Sequence, residues 1–235
     1  MISENIAEVR RRIDDACRRA GRDPDEVILI AVSKTKPVRD LLEAYHAGAL
    51  HFGENKVQEL IDKIPQMPID IHWHMIGHLQ RNKVKYIVGK TALIHSVDSL
   101  RLAEEISKEA VRHNVIVPLL IEVNVAREDS KFGVSVDETA EIAKEIAKLP
   151  GVRLKGLMTI APFTENAENN RIYFKQLKQL SVDIKNKNID NVNMDVLSMG
   201  MTGDYEVAVE EGATCVRVGT GIFGEREFSD HHPVE

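Results

Sequence analysis

The sequence predicts an α/β protein: a single (β/α)8 TIM barrel with an extra N-terminal helix. Three observations carry that expectation. Apolar runs such as Val27-Ile28-Leu29-Ile30-Ala31-Val32 have the composition of strands buried on both faces of a parallel sheet. These runs alternate with helical patterns, and about eight strand–helix units follow one another from Val27 onward. The length, 235 residues, is near the ~250 typical of a closed barrel, whose eight strands are just filled by their own side chains. The same alternation also permits an open doubly wound sheet. With 43% hydrophobic residues and no Pro/Gly/Ser-rich linker, residues 1–235 read as one domain.

Ser3 is the expected N-cap of the first helix, because Ile6, Val9, Ile13, Ala16 and Cys17 then recur at helical spacing until Gly21, a C-terminal signal. The strand 27–32 ends two residues before Lys34, and a helical pattern follows over 38–46. A short strand, His51-Phe52-Gly53, precedes a helix over 57–64, and Ile71-His72-Trp73-His74-Met75-Ile76 reads as the next strand. A helix over 82–88, the strand Leu93-Ile94-His95-Ser96-Val97 and a helix over 100–113 come next. The remaining units pair strand 117–123 with helix 136–149, strand 154–160 with helix 167–180, and strand 195–198 with helix 205–211, before strand 215–218. Residues 225–235 form an acidic tail.

The formal charge is −6, from 31 basic and 37 acidic residues, and the basic ones are dispersed, so no nucleic-acid footprint is expected. The N-terminus lacks a signal-peptide pattern, and no apolar stretch approaches the ~18–20 residues of a membrane span. Cys17 and Cys215 are far apart and show no C-x-x-C spacing, which fits a reducing, cytoplasmic setting without a structural disulfide.

In a barrel, residues just past each strand meet at one mouth, where ligands bind. Lys34 is the first of these; a rim lysine is either a solvated strand cap or an amine able to form a Schiff base with an aldehyde. Asn55, after the second strand, can donate and accept, or simply cap a helix. His78 lies past the third strand, whereas His72 and His74 share a strand face with no carboxylate or thiol to complete a metal set, and read as packing residues. Asn124, leading into Ser130-Lys131-Phe132-Gly133, and Met158-Thr159 follow later strands; Met158 could lie against a flat ring or fill the barrel.

The last two turns are more specific. Ser198-Met199-Gly200-Met201-Thr202-Gly203 precedes a helix, and Arg217-Val218-Gly219-Thr220-Gly221 follows the last strand pattern. Glycines there let backbone N–H groups close around an anion, and the loops after strands seven and eight are the usual phosphate site of a barrel. Arg217 is always charged, and inside a barrel it needs a partner. A rim amine, a phosphate cup and an arginine together suit a phosphorylated aromatic aldehyde, pyridoxal 5'-phosphate (PLP), with Arg217 on its ring nitrogen.

Six segments sharpen this reading: 31–37 (AVSKTKP), 52–55 (FGEN), 73–83 (WHMIGHLQRNK), 156–158 (GLM), 197–201 (LSMGM) and 216–220 (VRVGT). As a set they resemble the signature of the YggS/PROSC-type pyridoxal phosphate homeostasis proteins, over almost the whole chain. His78, and Thr202 in place of a frequent serine, are small departures. The resemblance implies a barrel of the alanine-racemase N-terminal type with Lys34 as the Schiff-base lysine. It also implies Asn55, His78, Met158, Ser198, Gly200, Met201, Arg217, Gly219 and Thr220 around the cofactor, with Ser198 and the Gly219-Thr220 turn on the phosphate.

Two functions follow from it. The first is a monomeric PLP carrier in vitamin B6 homeostasis, without turnover, serving PLP-dependent apo-enzymes. The second is a PLP-dependent amino-acid racemase or lyase, in which Tyr205 or His78 would supply the second base that such chemistry needs. In the related racemases that base belongs to an additional β domain, which this chain, ending at Glu235, is expected to lack.

Overall fold

Five apolar side chains on one face, Ile6, Val9, Ile13, Ala16 and Cys17, are buried and seat the first helix, α1 (Ile2–Arg19). The computed structural model describes residues 1–128 and 132–225. Met1 occupies the N-cap position, so Ser3 lies inside the first turn rather than capping it. Gly21 takes a φ of 66° just past the helix end, as the sequence signal requires.

Strands and helices then alternate: β1 (Ile28–Val32), α2 (Val38–His46), β2 (His51–Glu54), α3 (Val57–Lys63), β3 (His72–Met75), β4 (Leu93–Val97), α4 (Leu100–Arg112) and β5 (Val117–Glu122). They continue with α5 (Val136–Ala147), β6 (Val152–Met158), α6 (Arg171–Lys185), β7 (Val192–Met201), α7 (Tyr205–Glu210), β8 (Cys215–Val218) and the one-turn α8 (Thr220–Phe223). Each strand pairs in parallel with the next, and β8 returns to β1, with Ile28 opposite Cys215 and Ala31 opposite Val218. This closure makes the fold a TIM barrel and rules out the open sheet.

Four elements depart most from the expectation, among them the helix expected over 167–180, which is a 3-10 turn, Ala167–Asn170, followed by α6. The helix over 82–88 is instead a 3-10 run, Arg81–Tyr86, in which Val84 alone is buried; with no apolar stripe, nothing seats a longer helix. β6 starts and ends two residues earlier than 154–160, which hands Thr159 and Ile160 to the rim loop. β7 is far longer than 195–198 because its register shifts against both β6 and β8. Gly156 sits at one such shift with a φ of 153°, and a Cβ there would lie 1.8 Å from the Val196 carbonyl oxygen, so only glycine fits.

The larger core joins helix residues such as Ile6, Leu60 and Phe174 to strand residues such as Ala31, Phe52 and Trp73. A smaller cluster, Leu93, Leu120 and Met158 with Val196 against it, lies apart from that core. Cys17 and Cys215 are buried free thiols, and burial pushes the Cys215 thiol up to about 12. Among the described residues no helix is long and apolar enough to cross a membrane, and no His/Cys/Asp/Glu group could hold a metal ion.

Candidate functional site at the barrel mouth

A cavity of about 860 Å³ is lined by residues at or past the C-terminal ends of β1, β2, β3, β5, β6, β7 and β8. Its size is ordinary for a small-molecule site. Lys34 lines it from the turn after β1, and both peptide groups beside Lys34 are fastened. On one side, buried Lys63 donates from Nζ to the Ser33 carbonyl at 2.8 Å and pairs with Glu54 Oε1 at 2.7 Å. The Ser33 hydroxyl also donates to Glu54 Oε1, at 2.6 Å. On the other side, Thr35 N–H donates to Glu59 Oε1 at 2.5 Å, and Glu59 in turn takes a bond from Lys63 at 2.8 Å. Thr35 has a left-handed φ of 64°, which costs about 1–3 kcal/mol and persists because these bonds over-determine the turn. Glu54 is fully buried, and desolvation holds its carboxyl above the usual range despite the Lys63 and Ser33 bonds.

Asn55 lines the cavity after β2 and packs directly on Gly77, where a Cβ would come within 2.5 Å of the Asn55 carbonyl oxygen. At the far side, Thr202 Oγ1 accepts from Gly219 N–H and Gly221 N–H, each at 3.3 Å, and shares a hydroxyl–hydroxyl bond with Thr220 Oγ1 at 3.2 Å. Two backbone N–H groups therefore converge on one oxygen, with a second hydroxyl beside them, as in an anion cup. The loop after β6 is held to this side by Asn170, whose Nδ2 donates to Pro162 O at 2.9 Å and to Asp204 Oδ2 at 2.8 Å.

Arg217 is 3% exposed and lines the cavity from β8. Its Nη1 donates to Ser198 Oγ at 2.5 Å and its Nη2 to the Thr159 carbonyl at 2.9 Å. Burial lowers its pKa while Glu122 opposes that shift. Glu122, the last residue of β5, is itself pushed up to about 7 by burial, with Asp98 adding to the rise and Arg217 opposing it.

Of the ten residues expected around a ligand, the cavity gathers Lys34, Asn55, Met201, Arg217, Gly219 and Thr220. The other four stand outside its lining. Met158 is fully buried against Leu93 and Leu120. Ser198 is also fully buried, and its hydroxyl is spent on Arg217 and on His95 Nδ1 at 2.8 Å. Gly200 has a φ of 94° and lets α7 approach β7, since a Cβ would meet Ala208 at 2.6 Å. His78 stacks on Phe132 with centroids 3.9 Å apart and places Nδ1 3.2 Å from Asp98. Tyr205, the other proposed base, is buried in the core rather than in the cavity, and burial, with Glu206 adding to it, raises its pKa. His74 is no inert packing residue: it bonds to His51 and to His95. Ser130 and Lys131, like the tail beyond Glu225, lie outside the described residues.

Residues 4–227 match the family model described as alanine racemase, N-terminal domain. The "Pyridoxal phosphate homeostasis protein" of Aquifex aeolicus (strain VF5) is 46% identical over 96% of this chain and 98% of its own. The chain belongs to the pyridoxal phosphate homeostasis protein family. Two solved structures are close to it. An unknown protein from Bifidobacterium adolescentis superimposes with a TM-score of 0.90 at 36% identity, covering 94% of each chain. PipY of Synechococcus elongatus PCC7942, solved with PLP bound, has a TM-score of 0.82 at 35% identity, covering 95% of this chain and 100% of that one.

The loop after β6 brings Ile160, Pro162 and Phe163 to the cavity, none of which is among the residues expected around a ligand. The signal was a proline just past a strand, with exposed apolar residues around it; Phe163 is 97% exposed. Thr202, expected as part of the glycine-flanked turn before α7, has its hydroxyl where the Gly219 and Gly221 N–H groups meet.

Proposed function

We propose that this chain binds pyridoxal 5'-phosphate at the barrel mouth and holds it reversibly, as a carrier in PLP homeostasis rather than as a catalyst of turnover. The observation that carries this reading is the meeting, in one cavity, of an amine, a converging set of N–H and O–H donors, and a buried guanidinium. PipY with PLP bound supports it from a related fold. The bound group would supply an aldehyde and an electron-withdrawing aromatic ring. Lys34 is the amine for the aldehyde, on a turn whose neighbours are pinned. The Gly219 and Gly221 N–H groups, which here donate to Thr202, would hold the phosphate together with the Thr202 and Thr220 hydroxyls. Arg217 would serve the ring nitrogen; because a guanidinium keeps its own proton, it would leave that nitrogen without one and the ring a weak electron sink. Racemisation needs proton-transfer groups on both faces of a substrate carbon, and neither Tyr205 nor His78 lines the cavity. The same reading has the chain act as a cytoplasmic monomer that releases PLP to PLP-dependent apo-enzymes.

The test is to load the purified protein with PLP, reduce with borohydride and map the modified lysine by peptide mass. Modification of Lys34, lost in Lys34→Ala and kept in Lys36→Ala, is the expected result. No modification, or modification at Lys36, would sink the assignment. α-Hydrogen exchange of amino acids in D2O above the level of free PLP would favour the racemase or lyase instead.

A further inference from the structure

Arg217 poses a physical problem that the cavity does not solve. It is a buried cation, and no carboxylate among the described residues lies within the 4.0 Å of an ion pair. Glu122 acts on it only from a longer range and, near neutral pH, is partly protonated. A buried charge without a partner is costly. Behind Arg217, however, a line of polar side chains crosses the barrel. Ser198 Oγ lies 2.8 Å from His95 Nδ1, His95 Nε2 lies 2.9 Å from His74 Nδ1, and His74 Nε2 lies 3.0 Å from His51 Nδ1. His74 is 3% exposed and His95 and Ser198 are fully buried, whereas His51, the first residue of β2, is half-buried at the opposite end of that strand from the mouth.

Donor and acceptor roles along this line follow from one end. Arginine can only donate, so Ser198 Oγ accepts from it. The described residues offer the single Ser198 hydroxyl hydrogen one further acceptor, His95 Nδ1. That fixes the proton of His95 on Nε2, directed at His74 Nδ1, and the proton of His74 on Nε2, directed at His51 Nδ1. Running the line the other way would leave a buried hydroxyl hydrogen without a partner. Each ring must then be neutral, since a second ring proton would set donor against donor. The surroundings agree. Burial holds His51 down at about 4, with His72 and Arg10 adding to the effect; burial holds His74 at about 3, with His51 and His72 adding. His95 is held well below its ordinary value by burial, His74 and Arg217.

We propose that Ser198, His95, His74 and His51 form a one-way hydrogen-bond column that positions Arg217 and compensates its buried charge from the far end of the barrel. Aligned bonds polarise one another, so the column spreads the guanidinium's charge towards His51. His95 is the key positioning residue: it holds the Ser198 hydroxyl, and so the guanidinium, at the angle the cavity requires. This deepens the PLP reading above and rests on it for the effect on the ligand.

Two measurements test it. Long-range 15N–1H correlation on the 15N-histidine-labelled apo-protein reports ring protonation without any ligand. All three rings are expected to be neutral and protonated on Nε2 from about pH 7 down to about pH 5.5, while His72, stacked 4.7 Å from His51 and solvent-exposed, serves as internal reference. A proton on Nδ1 of His95 or His74, or a charged ring at neutral pH, would overturn the column. The second measurement compares His95→Asn, whose Oδ1 can still accept from Ser198, with His95→Leu, which cannot. The Leu variant should release PLP about tenfold faster and shift the visible band of the bound ligand, and the Asn variant should recover most of both. Equal release and equal spectra in wild type and His95→Leu would refute the positioning role. Failure of the wild type to bind PLP would refute the binding reading alone, because the NMR result stands without it.

Discussion

Lys63→Met removes one partner of a buried ion pair and should be the most damaging single change near the site that leaves the cavity lining untouched. Lys63 is 5% exposed and Glu54 fully buried, and Lys63 Nζ serves Glu54, Glu59 and the Ser33 carbonyl at once. Stripping the cation leaves an uncompensated carboxylate in the interior, which costs about 3–5 kcal/mol, against a total stability of about 5–15 kcal/mol for a domain. Urea denaturation followed by circular dichroism at neutral pH measures the loss. The pH dependence identifies its cause. Glu54 already has a raised pKa, and without Lys63 it rises further, so the native variant takes up a proton that the unfolded chain at its ordinary value of about 4.5 does not hold. The variant's deficit relative to wild type should therefore shrink as pH falls from neutral towards about 5. The double variant Glu54→Leu/Lys63→Met should regain most of the stability, since apolar replacement of a buried pair is often neutral or favourable. A single-variant loss below about 1 kcal/mol, or a double variant no more stable than the single, would refute the reasoning.

Three further outcomes are expected. Glu122, at about 7 in the folded protein, binds an extra proton in the native state below that pH, so its contribution is lost as pH rises from about 4.5 to 7 and is flat above; the loss is about 3 kcal/mol at 1.36 kcal/mol per unit. Glu122→Gln should remove that slope in urea melts, and parallel slopes in variant and wild type would argue against it. Gly77→Ala forces a methyl group to within 2.5 Å of the Asn55 backbone and should cost about 1–3 kcal/mol in a thermal or urea melt, with weaker PLP retention; an unchanged midpoint would mean the loop is slack. Cys17 and Cys215 are buried, with thiols pushed up by desolvation, so a thiol reagent should label neither until urea unfolds the chain. Rapid native labelling of Cys215 would contradict the closed β8–β1 seam.

Lys34 and Arg217 could be found in the sequence because a strand buried on both faces reads as a continuous apolar run, and the barrel rule then says what stands at its rim. Strands such as β2 (HFGE) and β3 (HWHM) are not apolar runs, and the alternation with helical patterns is what marks them. Ser198 and Gly200 were harder. A hydroxyl next to a glycine before a helix has the same pattern whether it meets a phosphate or serves the fold, and here Ser198 faces Arg217 while Gly200 admits α7. The histidines fared similarly: alternation gives a residue's face, and His74 and His95 come from different strands, so only three-dimensional register brings them to Ser198 of β7. Strand ends were misjudged at β6 and β7, where Gly156 breaks the register that a regular period assumes.

The seam between β1 and β8 also governs the order in which the molecule can be assembled. Ile28 precedes Cys215 by roughly 190 residues, so at ~5–20 residues per second the first strand waits roughly 10–40 s for its second neighbour. During that interval one edge of an apolar strand stays open, a natural point for chaperone capture. Arg217 belongs to the same late strand, so a nascent chain carries Lys34 long before the guanidinium that would face its ligand. Translation itself thus delays any competent site until β8 has been made.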